Sequence, residues 1–154
     1  MVEEKAFDVF KSWVEELLND LGGASNESMT REIMEKCGTR CVIAHNDLSK
    51  IKAVKRKEKN FYELLSLINK YLEWCGEWKL KGNIIYAIGK ECGCPLVRHR
   101  LVKLSPVLCF CSRGWIKTIF EEALDKEVEV HLVRSIGRGD DCCEFRVIPF
   151  VNKQ

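Results

Sequence analysis

Three closely spaced cysteine pairs are the residues of this sequence whose types and spacing could carry chemistry. They are Cys37 with Cys41, Cys92 with Cys94, and Cys109 with Cys111. Thiolates are ligands for zinc and for iron–sulfur clusters, and a structural zinc site needs four tetrahedral ligands. Because two pairs would supply four thiolates, we predict a metal site with zinc as the first cofactor candidate and an iron–sulfur cluster as the alternative.

Each pair is expected to present both sulfurs on one side of its element. Cys37 and Cys41 are four residues apart, so on a predicted helix they leave one face about one turn apart. The two pairs with one intervening residue are predicted on extended backbone, where alternate side chains also share a side. All six cysteines are therefore candidate metal ligands, and the sequence leaves open which pairs meet. Six thiols are more than one zinc needs, which leaves room for a spare redox pair.

Cys111 has a second predicted property, because it precedes Ser112 at the start of a predicted helix. The unpaired amides and the positive end of a helix lower the pKa of a thiol at that place, and Arg113 adds positive charge. Cys111 is therefore the candidate catalytic residue. The alternative function is a cysteine-dependent hydrolase or thiol redox enzyme that uses Cys111, with Cys109 as a resolving partner.

The cellular setting predicted from the sequence is reducing. The first residues lack the apolar core of a signal peptide, and no stretch approaches ~18 uninterrupted apolar residues, so we expect a cytoplasmic protein that does not enter a membrane. In such a compartment thiols stay reduced, which favours metal or redox chemistry over disulfides. Of the nine cysteines, Cys75 and Cys143 are predicted to be core residues, and Cys142 has no assigned role.

The elements that must position these thiols follow from periodicity. A chain of 154 residues with 46% hydrophobic and 31% charged residues fits a single domain over residues 1–154. Helices are predicted over 4–21, after Asn26 or Ser28, from Asp47, and after Asn60. The second half changes to short strands over 78–80, 84–88 and 107–111, then a helix over 113–124 and a last hairpin with its turn at 137–141.

These elements predict an α+β fold. The helical N-terminal half packs on an antiparallel sheet, and one helix is inserted before the C-terminal β-hairpin. We divide the domain into a helical N-terminal extension, residues 1–59, and an α+β core, residues 60–154.

The basic run from Lys50 to Lys59 supports a third hypothesis. It holds six cations and one acid, so it could contact nucleic acid phosphates. A solvated helix face is the commoner explanation of such a run, and aromatic residues are missing from it. The net charge of +2 names no partner. A nucleic-acid-binding module is therefore ranked last.

The region from about residue 60 to residue 150 resembles the small-molecule-binding domain named after 4-vinyl reductase. The resemblance lies in Cys109-Phe-Cys-Ser-Arg-Gly-Trp115, Val128-Glu-Val-His-Leu132, Ser135-Ile-Gly-Arg-Gly-Asp140 and Cys143-Glu-Phe145. The same stretch is similar to a group of cysteine-rich bacterial and archaeal proteins of unknown function. It is similar more distantly to the L-2-amino-thiazoline-4-carboxylate hydrolase family.

This resemblance implies a homodimeric α+β domain with a small-molecule pocket between sheet and helices. Sensor members of the family bind zinc through an acidic residue and cysteines near the final hairpin. Only Cys143 matches that ligand set, while Leu132, Val133 and Ile136 occupy the upstream ligand positions. Our first hypothesis is therefore a binding protein that holds a metal, zinc by preference, through its paired cysteines beside an apolar pocket.

Overall fold

A computed structural model describes residues 2–44, 47–56, 60–71 and 76–149. Its helices and strands are α1 (Val2–Gly23), α2 (Glu27–Ala44), α3 (Asp47–Lys55), α4 (Phe61–Tyr71), β1 (Lys79–Lys81), β2 (Ile84–Gly89), α5 (Pro95–Arg98), α6 (Leu108–Leu124), β3 (Val128–Arg134) and β4 (Cys143–Pro149). The predicted core residue Cys75 and the end of the basic run, residues 57–59, lie outside the described residues.

The four strands form one antiparallel sheet in the order β1-β2-β4-β3. Val147 in β4 lies between Ile85 of β2 and Val130 of β3, so the last strand occupies the middle of the sheet. The helices of the first half precede this sheet, and α6 is inserted before the β3–β4 hairpin. The predicted α+β class is confirmed, with helices ahead of the sheet and one helix inserted before the C-terminal hairpin.

Two helices begin where their capping residues predict. The Asn26 side-chain oxygen accepts a hydrogen bond from the Met29 amide at 3.0 Å, ahead of α2. The Asn60 side chain accepts one from the Glu63 amide at 2.9 Å, ahead of α4. Each bond satisfies an amide that the first turn of a helix leaves unpaired, so these starts were readable from the sequence.

The main core lies between the sheet and helices α2, α3, α4 and α6. Trp78 and Phe120 meet edge to face at its centre, with ring centroids 4.9 Å apart. A second, smaller apolar cluster lies beneath α1 and the start of α6. The main core also buries Val42, Ile51, Leu64, Ile68, Ile85, Ile116, Val130, Cys143 and Phe145, and the smaller cluster contains Leu18, Met34, Val102, Val107, Leu108 and Phe110.

The predicted strand over residues 107–111 is wrong, because this segment is the start of helix α6. The helix begins at Leu108, and Ser112 lies within it, where its hydroxyl donates to the Leu108 carbonyl at 3.5 Å. A short apolar run fits a buried strand and a buried helix equally well by periodicity alone. Here the buried face of the helix continues unbroken from Leu108 to Ala123, so packing selects the helix.

Candidate thiol site

The crossing of α2 and α6 brings the first cysteine pair to Cys111. A Cβ atom added to Gly38 would lie 2.0 Å from the Cys111 carbonyl oxygen, so the α2 backbone rests directly on α6. Gly114 makes the reciprocal contact, because its added Cβ would lie 2.0 Å from the Glu35 carbonyl oxygen. Two glycines therefore allow a helix–helix approach that any side chain would prevent. Cys37 and Cys41 flank the α2 glycine and are carried to the same crossing.

Polar contacts join α2 to α6 on both sides of the crossing. The hydroxyls of Thr39 and Thr118 share a hydrogen bond of 2.9 Å. Arg113 pairs with Glu35 at 3.3 Å, and both side chains are largely buried. These contacts fix how α2 is rotated against α6, and so fix which α2 residues face the first turns of α6.

Thiols from α2, from α6 and from the residue before α5 act electrostatically on Cys111. Burial, and then the nearby thiols of Cys94, Cys41, Cys37 and Cys109, raise the pKa of Cys111 to about 12. We call these five residues the thiol cluster. Cys37 and Cys41 come from α2, Cys94 precedes α5, and Cys109 and Cys111 lie on α6. The structure thus brings members of all three predicted pairs within electrostatic reach of one sulfur.

The predicted lowering of the Cys111 pKa is wrong. The residue lies inside the first turns of α6 rather than ahead of the helix, so Ser112 does not cap beside it. Burial and four neighbouring thiols disfavour the thiolate, and together they outweigh the positive end of the helix. Cys111 therefore lacks the lowered pKa on which its prediction as the catalytic residue depended.

Cys109 leaves α6 in a different direction from Cys111, because two residues on a helix are separated by about 200° of rotation. The prediction that this pair presents both sulfurs on one side is wrong for that reason. The buried Cys109 sulfur shares a hydrogen bond of 2.8 Å with the Ser135 hydroxyl. Burial raises the pKa of Cys109. The Ser135 hydroxyl, the Arg138 charge and a hydrogen bond from the Gly137 amide each lower this pKa, but burial has the larger effect.

The sequence predicted a turn over residues 137–141 but not this contact between Ser135 and Cys109. A Cβ atom added to Gly137 would lie 2.9 Å from the Cys109 sulfur, so glycine leaves room for the thiol. The Ser135 amide in turn donates to the Asp140 carboxylate at 2.7 Å, which fixes the loop. A serine and a glycine two residues apart in a tight turn are the only sequence signal of this role.

The second predicted pair lies in the loop between β2 and α5. Cys94 has an extended backbone, with φ −63° and ψ 119°, directly before α5. Burial raises the pKa of the Cys92 thiol, and the thiols of Cys94, Cys143 and Cys109 raise it further. A hydrogen bond from the Cys94 amide lowers this pKa but does not outweigh burial. The pKa of Cys41 is raised by burial, by Cys94 and by Asp47, which ties this loop to α2.

The predicted metal ligands influence one another electrostatically, but they are not arranged around a common point. Within the residues that the structure describes, no three Cys, His, Asp or Glu side chains stand in a geometry that could hold a metal ion as placed. The zinc site implied by the family resemblance keeps only Cys143, which is buried in the main core as predicted. Cys142 is also buried.

The described part of the basic run is largely occupied by ion pairs. Lys50 pairs with Asp47 at 2.9 Å within α3. Lys55 donates to the Glu122 carbonyl at 2.9 Å and pairs with Asp125, so this cation anchors α3 to α6. These contacts give the cations a structural role. Over the described residues, no helix combines the length and the apolar content needed to cross a membrane.

Comparison with known proteins identifies the family. The model of DUF6144, described as a family of unknown function, matches residues 3–154. The chain belongs to this family. A search of curated proteins finds no match.

Solved structures are similar to this DUF6144 chain at low sequence identity, and the two with TM-scores above 0.5 share its fold. The phenol-responsive sensory domain of the transcription activator PoxR, solved with phenol, has a TM-score of 0.59 at 12% identity and covers 90% of this chain and 74% of that one. A trafficking protein particle complex subunit 3 from Naegleria fowleri, covalently bound to palmitic acid, has a TM-score of 0.57 at 16% identity and covers 96% and 95%. A vinyl-4-reductase family protein from Methanocaldococcus jannaschii matches at 17% identity with a TM-score of 0.40, covering 94% and 81%.

Proposed function

We propose that this chain is a ligand-binding domain whose thiol cluster binds a soft metal ion, zinc being the first candidate and an iron–sulfur cluster the alternative. The observation that carries the proposal is the contact of Gly38 with the Cys111 carbonyl, which gathers the α2 thiols at α6. The similar structures with bound phenol and bound palmitic acid support a ligand-binding role for this fold. Membership of the vinyl-reductase-like superfamily is part of the same proposal.

The thiol cluster contains five sulfurs, one more than the four ligands that a structural zinc site requires. The described thiols do not yet point at one position, so binding requires them to rotate about their Cα–Cβ bonds. A bound cation would supply the positive charge that stabilises neighbouring thiolates. Cys37 is exposed, whereas the other four thiols are at least partly shielded from water, and without a cation the Cys111 proton is hard to remove.

Cadmium titration tests the proposal directly. Reduced protein is titrated with Cd²⁺ under anaerobic conditions, and thiolate-to-cadmium charge-transfer absorption is followed in the ultraviolet. We expect one ion per chain and release of protons on binding. The double variant Cys37→Ser/Cys41→Ser should lose at least about tenfold in affinity, since even the loss of an outer hydrogen-bonding partner of a metal site costs about 10- to 100-fold.

The matched control is Cys142→Ser, which removes a buried thiol that does not contribute to the raised pKa of Cys111. It should bind Cd²⁺ like the unaltered chain. Absence of charge-transfer absorption in the unaltered chain, or an equal loss in the control and in Cys111→Ser, would contradict the proposal. Iron and visible absorption in the anaerobically purified protein would instead favour the cluster.

The enzymatic alternative has less support. A hydrolase or redox nucleophile at Cys111 needs a thiolate near neutral pH, whereas the pKa of Cys111 is raised to about 12. Cys109 leaves the helix in another direction, which removes the geometric basis for a resolving partner on the adjacent pair. We therefore rank this function second.

A homodimer is also proposed, and the outer face of α1 supports it. Phe10 and Trp13 are each 60% exposed and Leu17 is 43% exposed, all on one side of the helix. Such a strip of large apolar side chains is typical of an interaction surface. We expect the chain to elute as a dimer and Trp13→Glu to make it monomeric, measured by light scattering. A monomeric unaltered chain would contradict this part of the proposal.

A further inference from the structure

A cleft of about 550 Å³ opens beside the end of β2, away from the crossing of α2 and α6. Its volume falls in the range of about 300–1,000 Å³ typical of small-molecule sites. Asn69 of α4, the loop at Gly76, the end of β2 and Arg98 of α5 line it. Charged side chains line this cleft, whereas the pocket expected from the sequence is apolar.

The walls of this cleft are held in place by specific contacts. The Asn69 side chain donates to the Trp78 carbonyl at 2.8 Å and accepts from the Trp78 amide at 2.7 Å, which fixes α4 against the start of β1. Gly76 has φ 94°, and a Cβ added to it would lie 2.2 Å from the Ile88 carbonyl oxygen. The loop can therefore close on the end of β2 only with glycine at this position. The cleft is largely pre-formed.

The charges in the wall favour an anion. Lys90 and Arg98 line the cleft together with Glu77 and Glu91. Glu77 pairs with Lys79 at 3.1 Å, which neutralises part of the acidic side. Among the ion pairs between described residues, none engages Lys90, Arg98 or Glu91, so two cations without an ion pair face one such acid. A guanidinium and an ammonium that line the same cleft can both bind a carboxylate through charge-assisted hydrogen bonds.

An apolar group and a thiol complete the site. Ile88 is 45% exposed at the end of β2, where it can pack against the carbon skeleton of a ligand. Cys92 is half-buried in the same wall. We propose that this cleft binds a small organic carboxylate, whose charged end is held by Lys90 and Arg98 and whose apolar body lies beside Ile88 and Cys92. The cleft lies next to the thiol cluster through Cys92 but shares no residue with it, and the proposal does not depend on metal binding.

Cys92 allows a direct test, because it can report which reagent enters the cleft. Iodoacetate and iodoacetamide both alkylate a thiol: a bond forms between sulfur and the reagent CH₂, iodide leaves, and the thiol proton goes to solvent. Only iodoacetate carries a carboxylate. The ratio of the two alkylation rates at Cys92, measured by peptide mass spectrometry, cancels the effect of the thiol pKa, since that pKa slows both reagents equally.

We expect the iodoacetate-to-iodoacetamide ratio at Cys92 to be about tenfold higher in the folded chain than in the urea-unfolded chain, equivalent to about 1.4 kcal/mol. Arg98→Gln and Lys90→Gln should each lower the ratio. The matched control is Arg100→Gln, an exposed cation two residues away that does not line the cleft, and it should leave the ratio unchanged. Added acetate should slow iodoacetate alone.

An equal ratio in the folded and unfolded chains overturns the proposal. So does an equal effect of Arg98→Gln and Arg100→Gln, because that result indicates a general attraction of anions to the surface. If a variant fails to fold, acetate competition on the unaltered chain still decides the matter. The cadmium titration uses other thiols, so failure of the metal proposal and failure of this one are distinguishable.

Discussion

Gly38→Ala is the substitution that most directly tests how the thiol site is built. The added Cβ would stand 2.0 Å from the Cys111 carbonyl oxygen and 2.7 Å from the Trp115 amide nitrogen, where ordinary contact begins at 3.4 Å. The two helices must therefore separate by more than an ångström. Both contacted atoms belong to the backbone, so no side-chain rotation can relieve the clash.

The expected magnitude follows from two opposing effects. Alanine is favoured over glycine inside a helix by about 1 kcal/mol. Overpacking a close contact costs about 1–3 kcal/mol, and contact with backbone atoms places this site at the upper end. We therefore expect a net loss of about 2 kcal/mol in the free energy of unfolding. With a urea slope of about 2 kcal/mol per molar, the unfolding midpoint falls by roughly 1 M.

Urea unfolding followed by circular dichroism measures this loss. Gly23→Ala is the matched control, because nothing lies within 4 Å of a Cβ added at the end of α1, and it should change stability by less than about 0.5 kcal/mol. The folded Gly38→Ala chain should also bind Cd²⁺ more weakly, since wider helix spacing moves Cys37 and Cys41 away from α6. A Gly38→Ala chain as stable as the unaltered chain would refute the proposed crossing.

Three further outcomes are expected. The raised pKa of Cys111 means that this thiol loses its proton at lower pH in the unfolded state than in the folded state. The free energy of unfolding is therefore highest below pH about 9 and falls as pH rises toward 12. Urea midpoints measured against pH should show a shallower fall in Cys111→Ser. Asn69→Ala removes both bonds to the start of β1 and should cost about 1–3 kcal/mol in urea unfolding; a loss below about 0.5 kcal/mol would contradict the clamp. Ser135→Ala removes the hydroxyl that is hydrogen-bonded to Cys109 and should cost about 1 kcal/mol in the free energy of unfolding. Ser112→Ala should cost less, because the Ser112 hydroxyl only reaches a helix carbonyl at 3.5 Å. Equal losses in the two variants would argue against the Cys109 contact.

Much of the fold was predictable because its local signals were strong. The caps at Asn26 and Asn60 marked helix starts, and alternation around Val130 and Phe145 marked the last hairpin. The start of α6 was not predictable, since a run of five apolar residues carries no period that separates strand from helix. That one error changed the environment assigned to Cys111, from a capped helix start to a buried turn among other thiols.

Spacing within each cysteine pair could not reveal which pairs meet. Convergence depends on the crossing of α2 and α6, which two glycines far apart in sequence make possible. Gly38 admits the Cys111 carbonyl as a close neighbour. Its partner Gly114 follows the last cysteine pair closely, so a glycine beside each of two cysteine pairs was the available signal.

The central claim is that the thiol cluster binds a soft metal ion through several sulfurs. X-ray absorption at the zinc edge, on protein purified anaerobically and loaded with one equivalent of zinc, measures the ligand shell directly. We predict a shell of four sulfurs at about 2.3 Å, which loses sulfur in Cys37→Ser/Cys41→Ser and keeps it in Cys142→Ser. A shell of nitrogen and oxygen only, or zinc removed by simple dialysis, would contradict the claim.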